Sequence, residues 1–207
     1  MNDQAADRAT RDAQVRAADA MRALAGELVD KVAPAEVLDQ ITDRIAELTQ
    51  LLHSCESRDL RSAYRDWVLD KCSAEGAVIE RAIGGPANPT AIPLVCAAAP
   101  DGLVSDFEIP AVFASWPGSA HGGAIAGIID DLLGQTASIA VGFAATTRME
   151  IEYRRPTPTG RPLRARTRAH GQEGNTFVAG VEITAGDRVL VTATAQFAAL
   201  ENAGLLF

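Results

Sequence analysis

Apolar residues between positions 12 and 52 recur in two runs, Ala18, Met21, Ala25, Leu28 and Val32, then Leu38, Ile41, Ile45, Leu48 and Leu52. Both runs step alternately by three and four residues, the spacing that keeps side chains on one face of an α-helix. Each helix therefore carries one apolar seam, and Ala33-Pro34 stops the first helix and suits the opening of the second. The pattern predicts a helical hairpin. A weaker third helix is expected over 58–71, with Tyr64, Trp67 and Val68 as its apolar face.

The breakers Gly84-Gly85-Pro86-Ala87-Asn88-Pro89 then mark a linker into a different kind of structure. Beyond them, short runs predict strands over 91–96 and 103–109, joined by a turn at Pro100-Asp101-Gly102. Further strands are expected over 146–153, 163–170, 176–185 and 189–197, the last pair joined at Gly186-Asp187. Between the two groups, a loop through Trp116-Pro117-Gly118 leads into a helix over 122–141. One long helix wrapped by an antiparallel sheet of five or six strands is an α+β architecture. The chain thus divides into an α-helical N-terminal extension, 1–80, and an α+β domain, 85–200.

Composition narrows the class. With 207 residues, 47% of them hydrophobic, the chain can bury a sizeable core. A net charge of -8 opposes binding to nucleic acid or anionic membrane. The N-terminus has Asp3 where a secretory signal would be basic, and no apolar run is expected to span a membrane, so a cytoplasmic protein is expected. Cys55, Cys72 and Cys96 are odd in number and widely separated, which suits buried free thiols in a reducing compartment. His53, His121 and His170 are too scattered for a zinc site.

Candidate chemistry gathers on the helix from Gly122. Ile125, Ile128, Ile129, Leu132 and Leu133 form its core stripe, while Gly123, Gly127, Asp130, Gly134 and Ala137 form a second stripe. Glycine inside a helix costs about 1 kcal/mol relative to alanine, so three on one face imply a close approach to the backbone. Asp131 falls near Gln135 and Ser138, a stripe expected to be solvated and hence less functional. At His121-Gly122-Gly123, unpaired N–H groups and the positive end of the helix dipole are available to an oxygen gaining negative charge. A carboxylate two turns on could activate water, or attack, at a carbonyl held there. The same residues also fit a glycine-rich helix packed against its counterpart in a dimer, with Asp130 solvated.

The run His121-Gly122-Gly123-Ala124-Ile125-Ala126-Gly127-Ile128-Ile129-Asp130 resembles the signature of the PaaI-type and THEM-type hotdog thioesterases, with the acid nine residues after the histidine. Thr146 and Glu152-Tyr153-Arg154-Arg155-Pro156 are similar to that family's Tyr-basic-Arg-Pro strand, and the last strand, with Ala193, Ala195 and Phe197, fits as well. The resemblance covers residues 85–200. It implies a hotdog fold, in which a curved antiparallel sheet encloses the helix and two protomers join their sheets edge to edge, with sites between subunits. It further implies that Asp130 is general base or nucleophile, that the Gly122 N–H holds the thioester oxygen, that His121 shapes the site, and that the partner's Thr146 orients water or Asp130. No metal or cofactor is needed.

Two positions depart from the family pattern. Ser115 stands where some relatives have asparagine, and Asn175 follows Gly174 where many have a basic residue. Arginine's fork suits the phosphates of coenzyme A. Arg154 and Arg155, and the alternating Arg164, Arg166 and Arg168, are therefore candidate contacts, although a solvated sheet face explains the second set equally well. The expected substrate-binding set is Gly123, Ser115, Arg154 and Arg155. The apolar N-terminal seams serve packing or form an acyl-chain lid. The implied activity is hydrolysis of a hydrophobic, fatty or aryl, acyl-CoA by a homodimer or dimer of dimers. Alternatives are a non-catalytic acyl-CoA-binding or regulatory hotdog protein, and a hydratase.

Overall fold

The computed structural model of the chain describes residues 2–57, 59, 62 and 81–199. The helix expected over 58–71 falls almost wholly outside the described residues, as does Cys72. Two helices open the chain, α1 (Asn2–Asp30) and α2 (Ala35–His53), with Pro34 in an extended conformation as the N-cap of α2. Leu24 of α1 and Val37, Ile41, Ile45 and Leu48 of α2 line one open groove, so the chain does reverse at 31–34. The seams, however, are scarcely covered: Ala18 is buried, whereas α2 has no buried residue and Leu52 is 71% exposed. Helix α1 is tethered to the rest by Arg22, which donates to the carbonyls of Asn88 and Pro86 at 2.5 and 2.9 Å.

Among the described residues, eight strands and one long helix follow. The strands are β1 (Val95–Ala99), β2 (Gly102–Phe107), β3 (Ala114–Trp116), β4 (Ser119–Ala120), β5 (Ala144–Tyr153), β6 (Leu163–Glu173), β7 (Thr176–Ala185) and β8 (Arg188–Ala199); the helix, α3, is Gly122–Val141. Six strands form an antiparallel sheet in the order β1-β2-β6-β7-β8-β5. The strand that leaves α3 is thus an edge strand, paired on one side only with β8. Strand β6 alternates between buried and exposed residues over its first half and β8 does so from Ala193 to Phe197, as half-buried strands should. Their inward side chains, with those of β7, close on the α3 stripe Ile125, Ile128, Ile129, Leu132 and Leu133. Phe197 is fully buried opposite Phe177, and the two rings lie 6.5 Å apart in a tilted pair. A helix enclosed by a curved antiparallel sheet, preceded by helices, is the hotdog fold with an N-terminal extension.

Several sequence expectations need correction. The first strand begins at Val95 rather than 91, because Ala91, Ile92 and Leu94 are buried and the amides of Ile92 and Leu94 bond to the carbonyls of Ile83 and Gly84. The loop through Trp116-Pro117-Gly118 is instead the turn of the β3-β4 hairpin. Gly122–Val141 is long and apolar enough to cross a membrane, against the expectation that no run approaches that length. Its apolarity belongs to the core, since the sheet surrounds its buried stripe. Cys55 is exposed rather than buried, and Cys96 is partly buried.

Candidate functional site

The N-terminus of α3 is held from several directions. The amide of Ala120 donates to the Thr157 carbonyl and that of His121 to the Phe113 carbonyl, both at 2.8 Å. His121 is the N-cap residue, and its Nδ1 accepts the Gly123 N–H at 2.9 Å. The next two amides, of Ala124 and Ile125, reach the His121 carbonyl at 3.0 and 3.2 Å. A helix leaves its first four N–H groups without intrahelical partners. Three of these four are therefore taken, and the Gly122 N–H alone makes no bond within the described residues. Glycine at 123 gives the imidazole its room, because a Cβ there would lie 3.1 Å from the His121 Nδ1 and the ring would have to shift.

Two turns further on, Asp130 is exposed, and the Thr146 hydroxyl donates to its Oδ1 at 2.7 Å. This bond is made within one chain. The resemblance had implied the partner's Thr146; β5 leaves α3 directly and runs back beside it, which brings the chain's own threonine to the carboxylate. Asp130 makes no other hydrogen bond among the described residues, so Oδ2 stays open.

Asp131 points elsewhere. Its side chain is only 10% exposed, with Arg81 Nε on Oδ1 at 3.1 Å and Gln135 Nε2 on Oδ2 at 2.9 Å. The expectation of a solvated Asp131-Gln135-Ser138 stripe is therefore wrong, because segment 81–94 covers that side of α3 and Ser138 is buried. Gly84 lies so close that a Cβ on it would strike Asp131 Oδ2 at 2.2 Å, and Ile83 sits over Gly127, its Cδ1 3.2 Å from where a Cβ would be. The glycine stripe is thus approached closely at Gly127, while nothing among the described residues lies within 4 Å of the corresponding point on Gly134.

Residues 117–192 match the family model described as the thioesterase superfamily. That stretch carries the thioesterase-superfamily pattern. A thioesterase superfamily protein of known structure superposes with a TM-score of 0.75 at 21% identity, covering 89% of this chain and 90% of its own, and so shares the fold through the N-terminal helices. Two further solved structures are similar over about half of the chain. One is a point mutant of the phenylacetic acid degradation protein PaaI from Thermus thermophilus, at 23% identity and TM-score 0.48, covering 52% of this chain and 93% of its own. The other is a hypothetical thioesterase from Streptococcus pneumoniae, solved with coenzyme A, at 21% identity and TM-score 0.49, covering 52% and 85%. The enzyme class that goes with the superfamily and the fold is thioester hydrolase.

The remaining expected site residues of the thioesterase domain are dispersed. Ser115 is exposed on β3, with no hydrogen bond to Asp130 or Thr146. The Arg154 guanidinium is engaged by Glu152 at 2.8 Å and holds that carboxyl below the usual range, while Arg155 donates to the Val189 carbonyl at 2.7 Å. Along β6, Arg164 grips Asp106 with two bonds of 2.7 and 2.8 Å, Arg168 pairs with Asp101 at 3.2 Å, and Arg166 makes no ion pair among the described residues. Sequence reasoning missed three contacts around α3: Arg81 on Asp131, Ile83 over Gly127, and the Tyr153 hydroxyl, which donates to the Gly122 carbonyl at 2.9 Å. Tyr153 stood in a recognisable motif, whereas nothing in the pattern near Arg81 linked it to a residue fifty positions on.

Proposed function

We propose that this thioesterase hydrolyses a hydrophobic acyl-CoA, fatty or aryl, to the free acid and CoA, with Asp130 as the catalytic carboxylate. The observation that carries the reading is the exposed Asp130, oriented at Oδ1 by Thr146 and open at Oδ2, on the helix whose Gly122 N–H is uncommitted. As general base, the carboxylate takes a proton from water as the water oxygen attacks the thioester carbon. The carbonyl oxygen becomes an oxyanion and is received by the Gly122 N–H. Collapse of the tetrahedral intermediate breaks the C–S bond, and the proton held by Asp130 passes to the departing thiolate of CoA. As nucleophile, Asp130 would instead attack the thioester carbon and expel the CoA thiolate, which takes a proton from water, leaving an acyl anhydride that water then cleaves to the free acid and the carboxylate; trapping with hydroxylamine separates the two routes.

The geometry also favours two chains per site. Gly122 and Asp130 are eight residues apart on one helix, about 12 Å at 1.5 Å per residue, too far for both to touch the same carbonyl group. Two copies related by a twofold axis, joined along the free edge of β5, can set the Gly122 of one beside the Asp130-Thr146 pair of the other. A homodimer, or a dimer of such dimers, is the expected assembly. Ile83, exposed beside the glycine stripe, and the small neutral residues of that stripe suit an apolar acyl group.

Release of free thiol from short, long and aromatic acyl-CoAs tests the proposal directly. Wild type should turn over at least one member, and Asp130→Asn should bind the substrate without hydrolysing it. Equal turnover by the purified variant would remove Asp130 from the reaction.

A further inference from the structure

We infer that Tyr153 is a positioning residue for the oxyanion donor, acting through the peptide between Gly122 and Gly123; the inference rests on the proposed role of the Gly122 N–H. A peptide group is a rigid plane with a carbonyl on one edge and an N–H on the other. Here both edges of one plane are held: the Gly122 carbonyl by the Tyr153 hydroxyl at 2.9 Å, and the Gly123 N–H by His121 Nδ1 at 2.9 Å. The preceding plane, between His121 and Gly122, has its carbonyl occupied by the amides of Ala124 and Ile125, and its N–H is the free one. The two planes meet at the Cα of Gly122, which has no Cβ to restrict its torsions. Fixing the second plane at both edges therefore limits how far the free N–H can swing.

The tyrosine is itself well anchored and lies outside the core. Tyr153 ends β5, where it pairs with Val191 of β8, and its side chain is half exposed. Its Oη, Cζ and Cε1 lie 3.6 to 3.8 Å from where a Cβ on Gly122 would be, so the ring also covers one side of that residue. The strand that presents Thr146 to Asp130 thus presents Tyr153 to the helix N-terminus at its other end. One edge strand orients the carboxylate near its start and the oxyanion donor near its finish.

The test is Tyr153→Phe in the full chain, which keeps the ring and removes only the hydroxyl. With a turned-over acyl-CoA, kcat should fall about tenfold while KM stays within about twofold, because the donor is misaimed in the transition state and substrate contacts are untouched. Thermal midpoint should be unchanged, and amide hydrogen exchange at Gly123 should quicken. Wild-type kcat with unchanged Gly123 exchange would overturn the inference, as would a loss of activity that follows a lowered thermal midpoint. If wild type itself releases no thiol, the proposed function falls, and the Gly123 exchange rate alone decides whether Tyr153 holds this peptide.

Discussion

Two neighbouring carboxylates on α3 have opposite surroundings. Asp131 lies beneath segment 81–94, paired with Arg81 and Gln135 and largely shielded from water. Asp130, one residue earlier, faces out toward β5 with a single threonine hydroxyl as partner. A helix turns about 100° per residue, so one step is enough to carry a side chain from a covered side to an open one. A charge that is buried must be fully satisfied and is then inert, whereas one left with a free oxygen at the surface of a groove can act on a substrate.

The sharpest way to break the comparison is to neutralise each acid in turn. Asp130→Asn should lower thioesterase kcat by about a thousandfold and leave the thermal midpoint in place, measured by thiol release and calorimetry. Asp131→Asn should do the reverse: turnover by folded protein is retained, while stability falls by about 2 kcal/mol in denaturant titration, since the charge-assisted bond from Arg81 is weakened in a largely shielded place. If both variants lose activity alike with no change in stability, the two sides of the helix do not differ as proposed.

A smaller effect sharpens the open side. Gly134 has no neighbour at its Cβ position among the described residues, so Gly134→Ala should add about 1 kcal/mol of helix stability. If the protein sediments as the proposed dimer, its dissociation in this variant would show that a second copy packs on that face. The smallest effect concerns the outer face of the sheet. Arg164 holds the Asp106 carboxyl below its ordinary range, so the stabilisation is present above the unfolded carboxylate pKa, about 4, and is lost as pH falls through the lower folded value. The difference between wild type and Asp106→Asn in thermal midpoint should accordingly be small at pH 7, vanish in strong acid, and shrink in molar salt.

Most of the architecture is legible in residue patterns. The 3.6 period of α3 separates a core stripe from a glycine-and-acid stripe, and alternation along β6 and β8 marks their inward faces, because these periods follow from backbone geometry alone. The shielding of Asp131 was not legible. It depends on Arg81, just before the run of breakers that reads as a linker, and on Gly84, its first residue, both of which pack on the helix. The seam of α2 is the opposite case: its period is plain, but nothing in the described chain covers it, since a seam states that a partner is needed and not which one.

Sequence by itself determined the long apolar helix, the strands around it, the glycine turn at its start and the presence of an acid on its glycine face, all properties of local spacing. Tertiary structure alone decided that Thr146 of the same chain meets Asp130, that the Tyr153 hydroxyl reaches the Gly122 carbonyl, and that Asp131 is sealed away. These are contacts between residues far apart in the chain, set by how strand order and an edge strand bring distant segments together, and no local period encodes them.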